Sequence, residues 1–125
     1  MPVRSLNSSV LKWPDKESVV GSLARWAAKI VKAREDVLGI GYFGSYARGD
    51  WGVGSDLDVV IILQSSEQPF ERRGAEWDST ALPVPTDVLV YTKEEWDLIK
   101  SETHAFHPVM NEIVWLYPQP KKQEV

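Results

Sequence analysis

The residues in this sequence best suited to chemistry lie in segment 44–58. Gly44 and Ser45 directly follow the apolar segment 37–43, and Asp56 and Asp58 stand two residues apart where the next apolar segment begins. A spacing of two on a strand places both carboxylates on one face. Such neighbours repel each other unless a cation lies between them, and Mg²⁺ commonly joins one or two carboxylates to substrate phosphates. The aspartate pair therefore suggests a metal site.

The glycine–serine pair suggests a phosphate contact in the same segment. A glycine at the end of a strand lets the backbone approach a ligand closely, and the N–H groups that follow can point at a phosphate. The hydroxyl of Ser45 is a further donor. Taken alone, Gly-Ser favours a plain turn and Asp-x-Asp a pair of solvated acids, because short motifs recur by chance. Their combination is much more specific than either part.

Hydrophobic periodicity predicts the elements that would position these residues. Asp15 is placed to cap an amphipathic helix whose apolar positions include Val19, Leu23 and Trp26. A second helix should begin at Thr92, because Glu95 three residues later completes a capping-box pattern. A short helix is expected from Pro69. Apolar and β-branched runs predict four strands, at 37–43, 57–63, 87–91 and 113–117.

The order of these elements predicts an α/β (α+β) fold. The link between the first two strands is too short for a helical crossover, so part of the sheet should be antiparallel. We expect a small mixed β-sheet of about four strands with helices packed on one face. The chain is interpreted as a single domain over 1–125, with a core at about 16–117, an N-terminal arm at 1–13 and a flexible C-terminal tail at 118–125.

Segment 43–59 resembles the signature of a known enzyme superfamily. Phe43-Gly44-Ser45, ten intervening residues and Asp56-Leu57-Asp58-Val59 are similar to the pattern of the DNA polymerase beta-type nucleotidyltransferases. The continuation Ser45-Tyr46-Ala47-Arg48-Gly49 and the brevity of the chain resemble the minimal nucleotidyltransferase (MNT) group. The family pattern also has a third carboxylate on a later strand, and Asp87 is the residue best placed for it.

The resemblance implies a role for each of these residues. Asp56 and Asp58 would hold two Mg²⁺ ions, with Asp87 completing the ligands of one. The ions would activate an acceptor hydroxyl and take the charge of the leaving pyrophosphate. Gly44 and Ser45 would contact the phosphates of ATP. Arg48, one helical turn further, would reach them too, although a surface arginine is an equally good interpretation.

The resemblance also implies a protein partner. Members of the MNT group are often paired as antitoxins with a helical HEPN-type toxin, and some transfer AMP to it. An active enzyme that modifies a hydroxyl of its partner is therefore the first interpretation. A binding module that neutralises the partner by covering it is the second. Nucleotidyl transfer to a small molecule is the third, and it is disfavoured because no acceptor-binding region is recognisable.

Composition limits the remaining classes. The formal net charge is −4 and there is no cysteine, so nucleic-acid binding has no strong support and disulfides or thiolate zinc sites are excluded. The longest apolar run is too short to cross a membrane, and a cytoplasmic protein is expected. His104 and His107 are interpreted as surface or packing residues and Asp50 as solvated. Trp51 is open between stacking on a base and packing its own loop. Self-association is also left open.

Overall fold

The computed structural model describes residues 13–102 and 111–118. In this part of the chain, a long helix α1 (Lys16–Ala33) is followed by β1 (Val37–Phe43), the one-turn helix α2 (Ser45–Arg48) and β2 (Leu57–Leu63). Then come α3 (Phe70–Arg73), a 3₁₀ turn (Gly74–Glu76), β3 (Thr86–Thr92), α4 (Lys93–Glu102) and β4 (Val114–Tyr117). The predicted elements are confirmed. The predicted arm and tail lie almost wholly outside the described residues.

Both predicted helix caps are present. The side chain of Asp15 accepts a hydrogen bond from the N–H of Ser18 at 2.9 Å. At α4, the N–H of Thr92 donates to Glu95 Oε1 at 2.9 Å, and the N–H of Glu95 donates to Thr92 Oγ1 at 3.2 Å. Since the first N–H groups of a helix have no partner within it, these side chains fix where each helix begins.

The four strands form one mixed sheet in the order β3-β2-β1-β4. β1 pairs antiparallel with β2 and with β4, whereas β2 pairs parallel with β3. The antiparallel β1–β2 pair follows from their short connection, which contains only α2 and a loop. The parallel pair is joined by the longer segment that contains α3 and the 3₁₀ turn. The expected mixed sheet is therefore confirmed.

The helices cover both faces of this sheet, not one as the sequence had suggested. Val59 and Ile61 of β2 pack with Leu23 of α1 in the larger apolar cluster. Val60 and Ile62, which alternate with them and so face the other side, pack with Trp96 of α4. The prediction failed because nearly every residue of β2 is apolar, and such a strand carries no alternation that shows whether its second face is open.

Two glycines of β1 let the edge strand β4 come close. Cβ atoms added at Gly41 would lie 2.9 Å from Ile113 Cγ2 and 3.0 Å from Trp115 Cε3, and one at Gly39 would lie 3.3 Å from Trp115 Cζ3. The indole of Trp115 therefore lies across a strip of sheet that carries no side chains. β4 is positioned by this apolar packing as well as by its pairing with β1.

A charged cluster joins α3, β3 and α4. Arg73 is buried and forms a two-pronged ion pair with Glu95, with Nη1–Oε1 at 2.6 Å and Nη2–Oε2 at 3.1 Å. Its other hydrogen bonds go to backbone carbonyls, that of Gln68 at 2.8 Å and that of Val90 at 3.1 Å. A buried guanidinium is stable only when its donors are satisfied in this way.

None of the described helices is both long enough and apolar enough to span a membrane.

Candidate active site

The core of the candidate site is a pair of carboxylates on neighbouring parallel strands. Asp58 is the second residue of β2 and Asp87 the second residue of β3, and the two are register partners. Register partners on adjacent strands point to the same face of a sheet. The structure therefore brings together Asp58 and the predicted third carboxylate, which are far apart in sequence. Asp58 and Asp87 thus lie at the same end of the sheet and on the same face.

Asp56 approaches the same place from the preceding loop. It lies just before β2 and is exposed, whereas Asp58 is half-buried. Its negative charge acts on Asp58, but Asp56 lies outside β2, so the placement of both carboxylates on one strand face stays a prediction. The three acids thus differ in burial, since Asp58 is half-buried whereas Asp56 and Asp87 are exposed.

Burial raises the pKa of Asp58 above its ordinary value. The negative charges of Asp87, Asp56 and Glu112 raise that pKa further, and the positive charge of Arg48 opposes them. The cause is physical crowding of like charges around a partly desolvated carboxyl group. A cation placed among these carboxylates would relieve the repulsion.

Gly44 forms the wall of the site above Asp58. Its backbone has φ +78° and ψ −152°, a region that residues other than glycine almost never adopt. A Cβ atom at this position would run into the carboxylate of Asp58. Only glycine can therefore turn the chain from β1 into α2 while leaving room for that carboxylate.

Glu112, which the sequence analysis did not identify, is a further carboxylate next to Gly44. Glu112 Oε2 accepts a hydrogen bond from the N–H of Gly44 at 3.0 Å and another from Arg48 Nη1 at 3.3 Å. Arg48 Nε also donates to Asp50 Oδ2 at 3.1 Å. Asp50, interpreted from sequence as merely solvated, is thus an exposed ion-pair partner of Arg48.

The position of Glu112 follows from strand register. Tyr42 of β1 pairs with Val114 of β4 in an antiparallel arrangement. Two residues further in opposite directions along the strands bring Gly44 next to Glu112. The only sequence signal was an acid directly before a strand, and this becomes informative only once β4 is known to pair with β1.

The donor set suits magnesium, although the carboxylates do not converge on a single point. Mg²⁺ prefers oxygen ligands and is usually held by one or two carboxylates with water and phosphate oxygens completing its shell. The Asp58–Asp87 pair offers such ligands. Among residues 13–102 and 111–118, no three acidic or histidine side chains are close enough together to enclose one ion unaided.

Ser45 and Trp51, two further residues considered from the sequence, are both described by the structure. Ser45 begins α2 directly after Gly44. Trp51 stacks on the fully buried Tyr46, with ring centroids 5.6 Å apart and planes 11° from parallel. This contact favours loop packing as the role of Trp51. His104 and His107 lie outside the described residues.

Sequence comparison assigns the chain to a family. Residues 24–107, more than half of the chain, match the family model described as nucleotidyltransferase domain. The chain belongs to this family. No curated protein shows significant sequence similarity to it.

Solved structures give a likeness of fold. A crystal structure of a protein from Sulfolobus solfataricus, described as a candidate nucleotidyltransferase, is similar with a TM-score of 0.55 and 20% sequence identity. The similarity covers 82% of this chain and 86% of that one. At this identity the comparison concerns the fold, which is nucleotidyltransferase-like.

Proposed function

We propose that this chain is a Mg²⁺-dependent enzyme that transfers AMP from ATP to a hydroxyl group of a partner protein, and that it acts as the antitoxin of a HEPN-type toxin. The observation that supports catalysis most directly is the registered pair Asp58 and Asp87, with Asp56 beside it and Gly44 above it. Family membership supports nucleotidyl transfer in general. The choice of ATP and of a toxin acceptor comes from the resemblance to the MNT group.

The reaction we propose is a substitution at the α-phosphorus of ATP. The acceptor oxygen forms a bond to that phosphorus, the bond to the β-phosphate oxygen breaks, and pyrophosphate leaves. The hydroxyl proton passes to solvent. Bound Mg²⁺ supplies charge neutralisation and lowers the pKa of the acceptor hydroxyl.

The residues of the chain hold the reactants in place. Asp58 and Asp87 are held at a fixed spacing by their paired strands and would be metal ligands, and Asp56 would be a further ligand from the loop. In this proposal Gly44, Ser45 and Arg48 contact the phosphates. Such catalysis is mainly positioning and charge stabilisation, so no covalent intermediate with the protein is needed.

The first experiment is co-purification with the product of a neighbouring gene, followed by transfer from ATP and intact mass measurement. We expect the partner to gain one or more AMP units with the wild-type chain in Mg²⁺. Asp58→Ala and Asp56→Ala should lower the rate by roughly 10³-fold while keeping the fold, because they remove metal ligands. Asp50→Ala is the control, since it removes a nearby carboxylate that the mechanism does not use, and its rate should change less than about twofold.

The outcomes separate the candidate functions. A partner that is bound and neutralised without any gain in mass would favour the binding module. Transfer that proceeds equally well in the Asp56→Ala/Asp58→Ala double variant would refute the mechanism. Transfer to a small hydroxyl compound but not to the partner would favour the third interpretation.

A further inference from the structure

Two of the three residues that the proposal assigns to nucleotide binding are held by one carboxylate of the same chain. The Oε2 atom of Glu112 accepts hydrogen bonds from both the N–H of Gly44 and the guanidinium of Arg48. The side chain of Glu112 is mostly covered, with 23% exposed, while that of Arg48 is 49% exposed. The arrangement has the donors that a phosphate oxygen would need, and they are already in use.

Arg48 is also bound by a second carboxylate of the chain, that of Asp50. Its Nε donates to Asp50, so this guanidinium makes ion pairs with two carboxylates of its own chain. Only Glu112 also takes the N–H of Gly44. A backbone N–H has one proton to donate, and two anionic acceptors on that proton would repel each other. Glu112 and a phosphate oxygen therefore cannot both occupy the position at Gly44.

We infer that Glu112 is an autoinhibitory residue whose carboxylate fills the place of a nucleotide phosphate at Gly44 and Arg48 until ATP displaces it. This inference rests on the proposed nucleotide-binding function. In the resting state the chain satisfies its own phosphate donors. ATP binds only to the fraction of molecules in which Glu112 has turned away, so the apparent dissociation constant exceeds the intrinsic one by the inverse of that fraction.

The strand register gives this competition a fixed geometry. Because β4 pairs with β1 in a register that sets Glu112 next to Gly44, the carboxylate returns to the same donors whenever they are free. The contact is local and intramolecular, so it acts at any protein concentration. An ion pair as exposed as that of Arg48 is weak, and the block should therefore be one that a triphosphate can overcome.

Isothermal titration calorimetry with an ATP analogue whose α,β-bridge is a methylene group, in the presence of Mg²⁺, tests the inference on the full chain. We expect Glu112→Ala to bind the analogue about three- to tenfold more tightly than wild type. Asp50→Ala is the matched control, because it removes an equal charge from the same arginine without freeing Gly44. It should change the dissociation constant by less than about twofold.

Each outcome decides a separate question. Equal or weaker binding by Glu112→Ala, or equal tightening by Asp50→Ala, would overturn the autoinhibitory role while wild-type binding upholds the proposed function. Absence of binding by every variant would overturn both. Binding by Glu112→Ala but not by wild type would support the inference most strongly. If Glu112→Ala does not fold, Glu112→Gln replaces it, and tighter binding is again the supporting result.

Discussion

Two charged clusters in this small domain are built on opposite principles. In the Arg73–Glu95 cluster, a buried guanidinium meets a carboxylate and two carbonyl groups, so its charge and its donors are matched within the chain. At the candidate site, burial and the negative charges of Asp87, Asp56 and Glu112 raise the pKa of Asp58, and the positive charge of Arg48 offsets them only in part. Matched charge stabilises a fold, whereas unmatched charge prepares a place for a ligand.

The same substitution in both clusters gives the largest contrast in stability. Arg73→Ala should lower the free energy of unfolding by about 3 kcal/mol, because it leaves Glu95 and two carbonyls without their partner. Arg48→Ala should leave it nearly unchanged, since Arg48 is half-exposed and its ion pairs are screened by solvent. Urea denaturation followed by circular dichroism measures both. Equal losses would contradict the distinction between the clusters.

At the candidate site, a substitution at the backbone turn of Gly44 should lower stability more than the removal of the charged side chain of Arg48. Gly44→Ala should cost about 2–4 kcal/mol, because it combines a backbone conformation reserved for glycine with a clash against Asp58. Gly49→Ala is the control, since Gly49 has φ +92° and no atom within 4 Å of an added Cβ. It should cost only about 1 kcal/mol, the price of left-handed backbone alone. Similar thermal shifts for the two variants would show that the contact with Asp58 has no energetic weight.

The smallest effect we predict is the change in Tm when one carboxylate is neutralised. It has opposite signs in the two clusters, a rise for Asp58→Asn and a fall for Glu95→Gln. Asp58→Asn should raise the Tm of the metal-free protein at pH 7 by roughly 2–5 °C, because it removes a crowded, partly buried charge. The raised pKa of Asp58 means that wild-type stability falls as pH rises through that pKa. The gain should therefore vanish below the ordinary value of 3.8.

Glu95→Gln is the counterpart in the matched cluster. Hydrogen bonding and ion pairing with Arg73 hold the pKa of Glu95 below its ordinary 4.5. Its contribution to stability is present above that value and lost as pH falls through the lowered pKa. Differential scanning fluorimetry from pH 3 to pH 8 compares the two variants. A destabilising Asp58→Asn at neutral pH would contradict the idea of unmatched charge.

The features best predicted from the sequence were those that depend only on neighbouring residues. The capping box at Thr92 and Glu95 was predicted from four neighbouring residues and is confirmed. The ion pair of Glu95 with Arg73 could not be predicted, because the two residues are 22 positions apart in the sequence. A side chain that caps a helix and pairs with a buried arginine carries no local mark of the second contact.

Pairing between distant strands limited what could be predicted of the site. Asp58 and Asp87 could be placed together because each opens an apolar strand and the family pattern calls for a later carboxylate. Glu112 could not, since its neighbour Gly44 lies 68 residues away and they meet only through the register of β1 and β4. Propensity and periodicity predict strands, but they do not predict which strands pair.

The bare strip on β1 has an evolutionary consequence. Because Trp115 lies against Gly41, the small residue and the large one fill a single volume. A Cβ atom at 41 would also lie 2.9 Å from the backbone oxygen of Val114, so a smaller residue at 115 alone would not make room for it, and glycine should be retained at 41 among descendants of this chain. Since β4 leads directly from Glu112, lineages that lost this fit would also lose control over where that carboxylate sits.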